Sequence, residues 1–211
     1  MIKNQDRSKW IGASDTSFVV GNWKTDSFRE WWLLKLGINT GTYKSKKMEY
    51  GNAIEIPIIR AIEKLEGKKI KIGRRPYCKI SLRLRCNYDG LRKDEVIEIK
   101  STGSGFKNVP KNYWRQCQVL MYVKKKKITA LYQYKMTEYD YVNPYFPEID
   151  EKRIIRHVVE YDEQFIKNEY LPRLRYLASC LRAKKFPKEE DYVQFNDKKR
   201  KGPFNCFNAR C

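Results

Sequence analysis

The chain has 211 residues, of which 41% are hydrophobic and 14% aromatic, so it fits one domain with a buried core and is not mainly disordered. Its 45 Lys and Arg residues outnumber 25 Asp and Glu residues, and the formal charge of +20 indicates a polyanionic partner, most commonly nucleic acid. The sequence has no apolar run long enough to cross a membrane, and its start lacks the apolar segment of a secretion signal. We therefore expect no membrane association and an intracellular location, in the cytoplasm or the nucleus of a host cell.

Two helices are predicted in the first third of the chain. The segment 26–36 (DSFREWWLLKL) begins with a capping residue, Thr25 or Asp26, and ends at Gly37. The segment 48–66 carries isoleucines at helical spacing, and its internal proline predicts a kink. A Gly/Thr/Lys-rich loop separates the two helices.

Alternating apolar and polar residues predict strands in the middle of the chain. The predicted strands cover 69–72, 77–88, 95–101 and 127–136. Asp89-Gly90 is interpreted as the start of a turn, so that the second and third of these strands form an antiparallel hairpin.

Helices are also predicted over about 110–123 and 150–183, the second with a break near Pro172. Residues 1–185 are interpreted as a single domain and residues 186–211 as a basic C-terminal tail. The order of elements predicts an α/β fold, with a mixed central β-sheet flanked by helices.

Histidine and cysteine usage excludes several classes of catalytic site. His157 is the only histidine, so Ser-His-Asp chemistry and histidine-rich zinc hydrolysis are improbable. The six cysteines include no Cys-x-x-Cys pair, which argues against a zinc or iron–sulfur site. They are interpreted as small buried apolar residues or incidental thiols of the tail.

The strand 95–101 carries the residues that point to chemistry. Because side chains alternate across a strand, Glu98 and Lys100 share one face, and Asp89 can bring a second carboxylate across the hairpin. Carboxylate oxygens hold Mg²⁺, the ion activates water, and a lysine stabilises the charge that develops on a phosphate. A Glu-x-Lys pair alone is more typical of an ordinary solvated strand face, so it does not establish a site.

A third carboxylate favours the catalytic interpretation. Glu55 lies between two apolar residues of the second predicted helix, so it can point inward at a ligand rather than into solvent. Gly51, one helical turn earlier, permits close approach of that helix to another part of the backbone.

Five motifs in a fixed order resemble the lambda-exonuclease-type viral recombination nucleases of the PD-(D/E)xK superfamily. They are Arg7 followed seven residues later by Ser14, the run from Met48 to Glu55 (Met-x-Tyr-Gly-x-x-x-Glu), Asp89-Gly90, Glu98-Ile99-Lys100, and the run that begins Gln116-Cys117-Gln118. The resemblance spans about residues 7–123. It implies a restriction-endonuclease-like core.

The resemblance also implies a role for each matched residue. The metal ligands it implies are Asp89, Glu98, the backbone carbonyl of Ile99, and Glu55 acting through a metal or its water. It implies that Lys100 assists the attacking water and that Gln118 lies near the scissile phosphate. The DNA 5′-phosphate contacts it implies are Arg7, Ser14, Asn87 and Gln116, which carry groups that donate to phosphate. The implied cofactor is Mg²⁺, with Mn²⁺ able to substitute and two ions bound.

The function that the resemblance implies is 5′-to-3′ exonuclease action on linear double-stranded DNA, for recombination or genome processing. The implied partners are double-stranded DNA ends, a single-strand annealing protein and two further copies of the chain in a ring-shaped homo-trimer. Tyr88 replaces the family's proline and Asn87 a serine, which puts the specificity for a 5′-phosphate in doubt. A structure-selective endonuclease on the same core and a non-enzymatic DNA-binding protein remain alternatives, whereas an iron–sulfur nuclease lacks its cysteines.

Overall fold

The structure, a computed structural model, describes residues 8–39, 46–142 and 148–201, with the backbone alone for 46–48 and 197–201. The helices are α1 (Thr16–Val20), α2 (Asp26–Leu36), α3 (Lys46–Glu66), α4 (Lys111–Lys124), α5 (Glu138–Val142), α6 (Leu171–Arg182) and α7 (Glu189–Lys201). The strands are β1 (Lys71–Ile72), β2 (Tyr77–Lys79), β3 (Leu84–Cys86), β4 (Gly90–Leu91), β5 (Glu95–Thr102), β6 (Ile128–Lys135) and β7 (Ile154–Glu160). Short 3₁₀ turns cover Ala13–Asp15, Ile80–Leu82 and Glu151–Arg153, and a π-helical segment covers Phe165–Tyr170.

A five-stranded sheet in the order β1-β4-β5-β6-β7 forms the centre of the fold. β5 and β6 pair in parallel, and the other neighbours pair antiparallel, so the sheet is mixed. The parallel pair is joined by α4, because parallel strands require a crossover connection. β2 and β3 form a separate two-stranded ribbon. The predicted α/β fold with a mixed central sheet is therefore confirmed.

Helices cover both faces of this sheet. α3 buries Ile54, Ile58 and Ile62 against Ile97 and Ile99 of β5 on one face. The opposite face packs against α4, and α1, α2 and α6 complete a core in which seven of the described buried residues are aromatic. Burial on both faces explains why consecutive residues are buried from Val96 to Ile99 in β5 and from Thr129 to Tyr134 in β6. In the described ranges, no helix is both long and apolar enough to cross a membrane.

The first two predicted helices are confirmed. α2 begins after Thr25, whose side-chain oxygen accepts a hydrogen bond from the Phe28 amide, and it ends at Gly37 in the left-handed conformation with φ 74°. α3 covers the predicted second helix and continues through Pro57. Its burial pattern follows the predicted isoleucine spacing.

The predicted turn at Asp89-Gly90 is wrong. Gly90 begins β4 and pairs with Ile97, and the chain reverses later, where the Arg92 amide donates to the Glu95 carbonyl at 3.0 Å. A side chain at position 90 would come within 2.4 Å of Ile70, so the glycine serves close packing rather than a turn. Asp89 consequently lies just before a strand and beside β5.

The predicted long helix over 150–183 is also wrong. Its first part is β7, which pairs with β6 from Ile154 opposite Tyr134 to Glu160 opposite Ile128. The β-branched residues of this segment favour a strand once a neighbouring strand is available. Pro172 causes no break, because it lies in the first turn of α6.

The segment predicted as a basic tail contains the docked helix α7. Tyr192 packs edge-on against Trp23, and the Arg173 guanidinium lies 5.0 and 5.2 Å from these two rings. Phe195 packs against Tyr176 at 5.4 Å. Residues 186–196 are thus joined to the body of the protein, and the last ten residues lie outside the described ranges.

Candidate active site

The end of β5 brings together three of the predicted polar side chains. Glu98 is only 3% exposed and points toward α4, as does Lys100 two residues later. The Lys100 ammonium donates to Glu98 Oε1 at 2.8 Å and to Gln116 Oε1 at 3.1 Å. The Gln116 amide nitrogen donates to the same Glu98 oxygen at 2.5 Å. Each member therefore bonds to the other two, which fixes the lysine head group.

Asp89 approaches the same strand from the side of β4. Because Gly90 pairs with Ile97, the preceding residue lies beside the next positions of β5. The Ile99 amide donates to Asp89 Oδ2 at 2.7 Å. This bond orients the carboxylate toward the strand that carries Glu98 and Lys100.

Glu55 lies on α3, close enough to interact electrostatically with the other two carboxylates. Burial raises the pKa of Glu55, and the charge of Glu98 raises it further. Burial also raises the pKa of Asp89 well above its usual range, followed by the charges of Glu98 and Glu55. A side chain at Gly51 would place its Cβ 3.2 Å from the Ser101 hydroxyl, so the glycine permits the close crossing of α3 and β5.

Lys100 supplies the positive charge at this crowded negative site. Burial lowers the pKa of Lys100, but the charges of Glu98 and Asp89 raise it by more. The net pKa lies above its ordinary value, so the residue is a cation at neutral pH. Its ammonium group can therefore donate a hydrogen bond to an anion, but it does not act as a base.

The carboxylates fit a hard cation such as Mg²⁺. Glu98 Oε2 is buried and has no hydrogen-bond partner in the described part of the chain, which is unusual for a carboxylate oxygen. Asp89 and Glu55 are held close to it at a cost that a bound cation would offset. Among the described residues, no three His, Cys, Asp or Glu side chains are already gathered into a metal cage. Asp89 and Glu98 would supply carboxylate oxygens, the kind of ligand that Mg²⁺ prefers.

Gln118 is not brought to this cluster. It is fully buried, its amide nitrogen donates to the Glu160 carbonyl at 2.7 Å, and its oxygen accepts from the Asp162 amide at 2.7 Å. Residues two apart on a helix face different directions, so Gln116 and Gln118 cannot both reach the same phosphate. Through these two hydrogen bonds, Gln118 instead links the end of β7 to α4.

Two of the residues predicted to hold a 5′-phosphate, Ser14 and Asn87, lie near β3, whereas Gln116 belongs to the cluster described above. Ser14 is exposed in the 3₁₀ turn that follows Ile11, and Ile11 bonds to the backbone of Arg83 and Arg85. Asn87 follows β3 directly and precedes Asp89 by two residues. Arg7 lies outside the described residues.

Tyr113 is a site neighbour that the sequence reasoning missed. Its ring centroid lies 5.0 Å from the Lys100 ammonium. The residue lies three positions before Gln116 on α4, and side chains three apart share a helix face, which is the signal that could have found it. An aromatic face beside the lysine offers a surface on which a base or sugar can pack.

Residues 4–139 match the YqaJ-like viral recombinase domain. The chain belongs to this family. The matched segment contains the five ordered motifs and all the residues of the candidate site. Family membership and the carboxylate–lysine cluster together indicate a nuclease that acts on DNA.

Solved structures with the same fold extend over almost the whole chain. An alkaline exonuclease, LHK-Exo from Laribacter hongkongensis, superposes with a TM-score of 0.63 at 18% identity, covering 92% of this chain and 96% of that one. A phage related exonuclease from Haemophilus somnus 129PT gives a TM-score of 0.59 at 14% identity, covering 90% and 96%. Comparison with curated proteins gives no match. At these identities the structural likeness establishes the fold of this YqaJ-like chain.

Proposed function

We propose that the chain is a Mg²⁺-dependent exonuclease that hydrolyses linear double-stranded DNA from its 5′ end, for recombination or genome processing. Mn²⁺ substitutes for Mg²⁺, and two ions take part. The observation that carries this proposal is the closed Glu98–Lys100–Gln116 cluster beside Asp89, with one Glu98 oxygen left buried and unpartnered. This combination matches the acidic and basic positions of a PD-(D/E)xK site.

Asp89 and Glu98 are the residues that would hold the metal, with Glu55 and the Ile99 carbonyl beside them. When bound, the ion lowers the pKa of a water and neutralises charge on the phosphate. Lys100 keeps its positive charge and is oriented by Glu98 and Gln116, so its ammonium can donate to the attacking hydroxide or to a phosphate oxygen.

The proposed substrate follows from charge and from the residues around β3. A net charge of +20 favours a polyphosphate ligand. Ser14 and Asn87 offer a hydroxyl and an amide near β3, and we assign them, with Arg7 and Gln116, to the terminal phosphate. A second LHK-Exo structure, with a TM-score of 0.62 at 18% identity, is in complex with dAMP, which is consistent with nucleotide release at such a site.

Digestion of end-labelled DNA tests the proposal. Linear duplexes with a 5′-phosphate, linear duplexes with a blocked 5′ end and covalently closed circles are incubated with Mg²⁺, with Mn²⁺ or with EDTA. The expected result is mononucleotide release from phosphorylated linear ends with either metal, none in EDTA, and intact circles. Efficient cutting of circles would replace the exonuclease by an endonuclease, and binding without any cleavage would leave a DNA-binding protein.

The proposal extends to partners and location. A ring-shaped homo-trimer around DNA and cooperation with a single-strand annealing protein are part of it, as is action inside the cell. Light scattering of the purified chain measures the oligomeric state. A monomer at every concentration would remove the ring from the proposal without affecting the chemistry.

A further inference from the structure

A cleft of about 420 Å³ opens between the β2–β3 ribbon, α4, α6 and α7, away from the carboxylate cluster. Its lining residues include three cations, Lys79, Arg175 and Arg182, and two hydroxyl groups, Ser81 and Ser179. None of the described residues that line it is acidic. Three like charges around one small volume repel each other, so the cleft favours an anion.

The cations of the cleft are oriented by neutral groups. Arg182 donates to the Ser81 carbonyl at 3.1 Å, which holds its side chain against the ribbon. Lys79 donates to the Tyr122 hydroxyl at 3.4 Å and lies 5.7 Å from the centre of that ring. Carbonyl and phenol oxygens fix a side chain without cancelling its charge, so both cations keep their charge for a ligand.

A second cavity, at the start of β5, shows the contrast. It measures about 860 Å³ and is also lined by Lys and Arg, but Glu66, Asp94 and Glu95 lie among them. There, Arg92 and Arg156 are bonded to carboxylates at 2.6–3.0 Å. Its arginines are neutralised within the fold, whereas those of the 420 Å³ cleft face no acidic lining residue.

The cleft and the candidate site share the helix α4. Gln116 of the catalytic cluster and Tyr122 of the cleft are both on α4, about 9 Å apart along the helix axis at 1.5 Å per residue. Lys124, at the end of α4, lies 4.2 Å from the Tyr88 ring, next to Asp89, and adds a further cation to this side of the protein. The Gln116 and Tyr122 side chains leave α4 about 120° apart around its axis, so a nucleic-acid strand that reaches both places must pass around this helix.

We infer that this cleft binds backbone phosphates of the DNA substrate at nucleotides beyond the scissile bond. The inference rests on the proposed function, because that supplies DNA as the ligand. Phosphate contacts of this kind position a nucleic acid without reading its sequence. The source is either the duplex or the strand left single by digestion, and both present the same phosphodiester chemistry. Tyr122 and Phe195 at the cleft offer aromatic surface to the bases of a single strand.

Salt-dependent binding measures the contacts directly. The Arg175→Gln/Arg182→Gln double variant is compared with Lys68→Gln/Lys69→Gln, which removes the same charge from exposed positions at the 860 Å³ cavity. All proteins carry Asp89→Asn so that the DNA stays intact, and thermal melting verifies that each is folded. Dissociation constants for a labelled duplex and for a labelled single strand are determined over a range of salt concentrations.

For the cleft variant, the slope of log affinity against log salt should fall by about 1.8 on a duplex or about 1.4 on a single strand, since each phosphate contact contributes about 0.9 or 0.7. At about 0.1 M salt, this corresponds to a loss of up to about 60-fold on the duplex. Arg175→Lys/Arg182→Lys should recover most of the slope. The DNA form with the larger change identifies the source.

Equal slope changes in the cleft variant and the control, or an unchanged slope in the cleft variant, would overturn the inference. The proposed function is tested separately, by measuring DNA cleavage by the chain that does not carry Asp89→Asn. A chain that binds through the cleft but never cuts contradicts the nuclease and leaves the cleft site standing. If the chain cleaves DNA but the slope of log affinity against log salt is unchanged in the Arg175→Gln/Arg182→Gln variant, only the inference about the cleft is contradicted.

Discussion

The two ends of β5 carry charged clusters of opposite character. At its start, Glu95 belongs to a network in which Arg92 bonds to Glu66 at 2.6 Å and to Glu95 at 3.0 Å, and Arg156 bonds to Glu95 at 2.7 Å. Further along the strand, about 10 Å away at strand rise for Glu98 and about 17 Å for Lys100, Glu98 has one unpartnered buried oxygen and a single lysine serves three carboxylates. Among the described residues, each carboxylate of the first cluster is paired with an arginine, although the Arg92 Nε is buried without a hydrogen-bond partner, whereas the second cluster has more carboxylates than cations.

The pKa directions of the two clusters differ for the same reason. Burial raises the pKa of Glu66, but hydrogen bonds from Tyr132 and Arg92 lower it by more, so the net shift is downward. Burial and neighbouring negative charge both raise the pKa of Asp89. Charges paired inside the fold stabilise the ionised form, whereas crowded carboxylates require a ligand from outside. The comparison separates a structural cluster from the proposed catalytic one on a single strand.

The largest effect is expected from Asp89→Asn at the functional end. Cleavage of a 5′-phosphorylated duplex should fall roughly 10³-fold or more, because a metal-holding carboxylate is lost. The midpoint of thermal unfolding, measured without metal, should stay or rise, since one repelling charge is removed. A quenched-flow or gel assay gives the rate and calorimetry gives the midpoint. If stability falls strongly together with activity, Asp89 is a structural residue, and the proposed difference between the two charged clusters of β5 is wrong.

The second effect is expected from Arg92→Met at the structural end. Glu66 and Glu95 would lose their shared partner in a cluster whose side chains are mostly buried, at a cost of about 2–3 kcal/mol of unfolding free energy. Urea unfolding measures this loss, and Lys93→Gln, an exposed neighbour, is the control expected to change little. The cleavage rate of the folded fraction should be unchanged. A rate that falls as far as in Asp89→Asn would mean that the two clusters are coupled.

Strand periodicity was enough to predict that Glu98 and Lys100 share a face, because the two-residue repeat of a strand is a local property. The pairing of Asp89 with that face was predicted from a wrong turn. Gly90 suggested a hairpin tip, whereas its cause is contact with Ile70, a residue twenty positions earlier. Packing of this kind depends on which segments become neighbours, and local pattern does not encode it.

The two largest departures from the sequence prediction have a similar origin. The run Ile154–Glu160 forms a strand because β6 offers a partner edge, and its short apolar runs fit either structure when taken alone. Gln118 was placed at the phosphate by its position in a motif, but helical geometry turns it away from Gln116 and toward β7. The order of the motifs placed the candidate site beside α4, but the structure was needed to show which face of that helix lies at the candidate site.

That choice of face gives the third prediction, a contrast between neighbouring glutamines on α4. Gln116→Ala removes both hydrogen bonds that orient Lys100 and Glu98, so cleavage should fall roughly 10- to 100-fold with little change in stability. Gln118→Ala leaves the Asp162 amide and the Glu160 carbonyl unsatisfied, at a cost of about 1–3 kcal/mol, with a near-normal rate once folded. The cleavage rates and the urea unfolding midpoints of both variants show whether each substitution affects activity or stability. The opposite pattern would return the phosphate role to Gln118.

The smallest effect is the pH dependence of stability in EDTA, where the two ends of β5 should act in opposite directions. Glu66 has a lowered pKa in the folded protein, so its contribution is present above the ordinary value of 4.5 and is lost as the pH falls through the folded pKa. Asp89 and Glu55 have raised pKa values, so stability declines as the pH rises from their ordinary values of 3.8 and 4.5 through the folded ones. Asp89→Asn should therefore reduce the loss of stability toward neutral pH and leave the loss at acid pH unchanged. Arg92→Met should change only the dependence of stability on pH in the acid range. Melting midpoints from pH 3 to 9 measure both profiles. If the Asp89→Asn profile keeps the full neutral-side decline, the crowding of carboxylates at the far end of β5 is not what limits stability there.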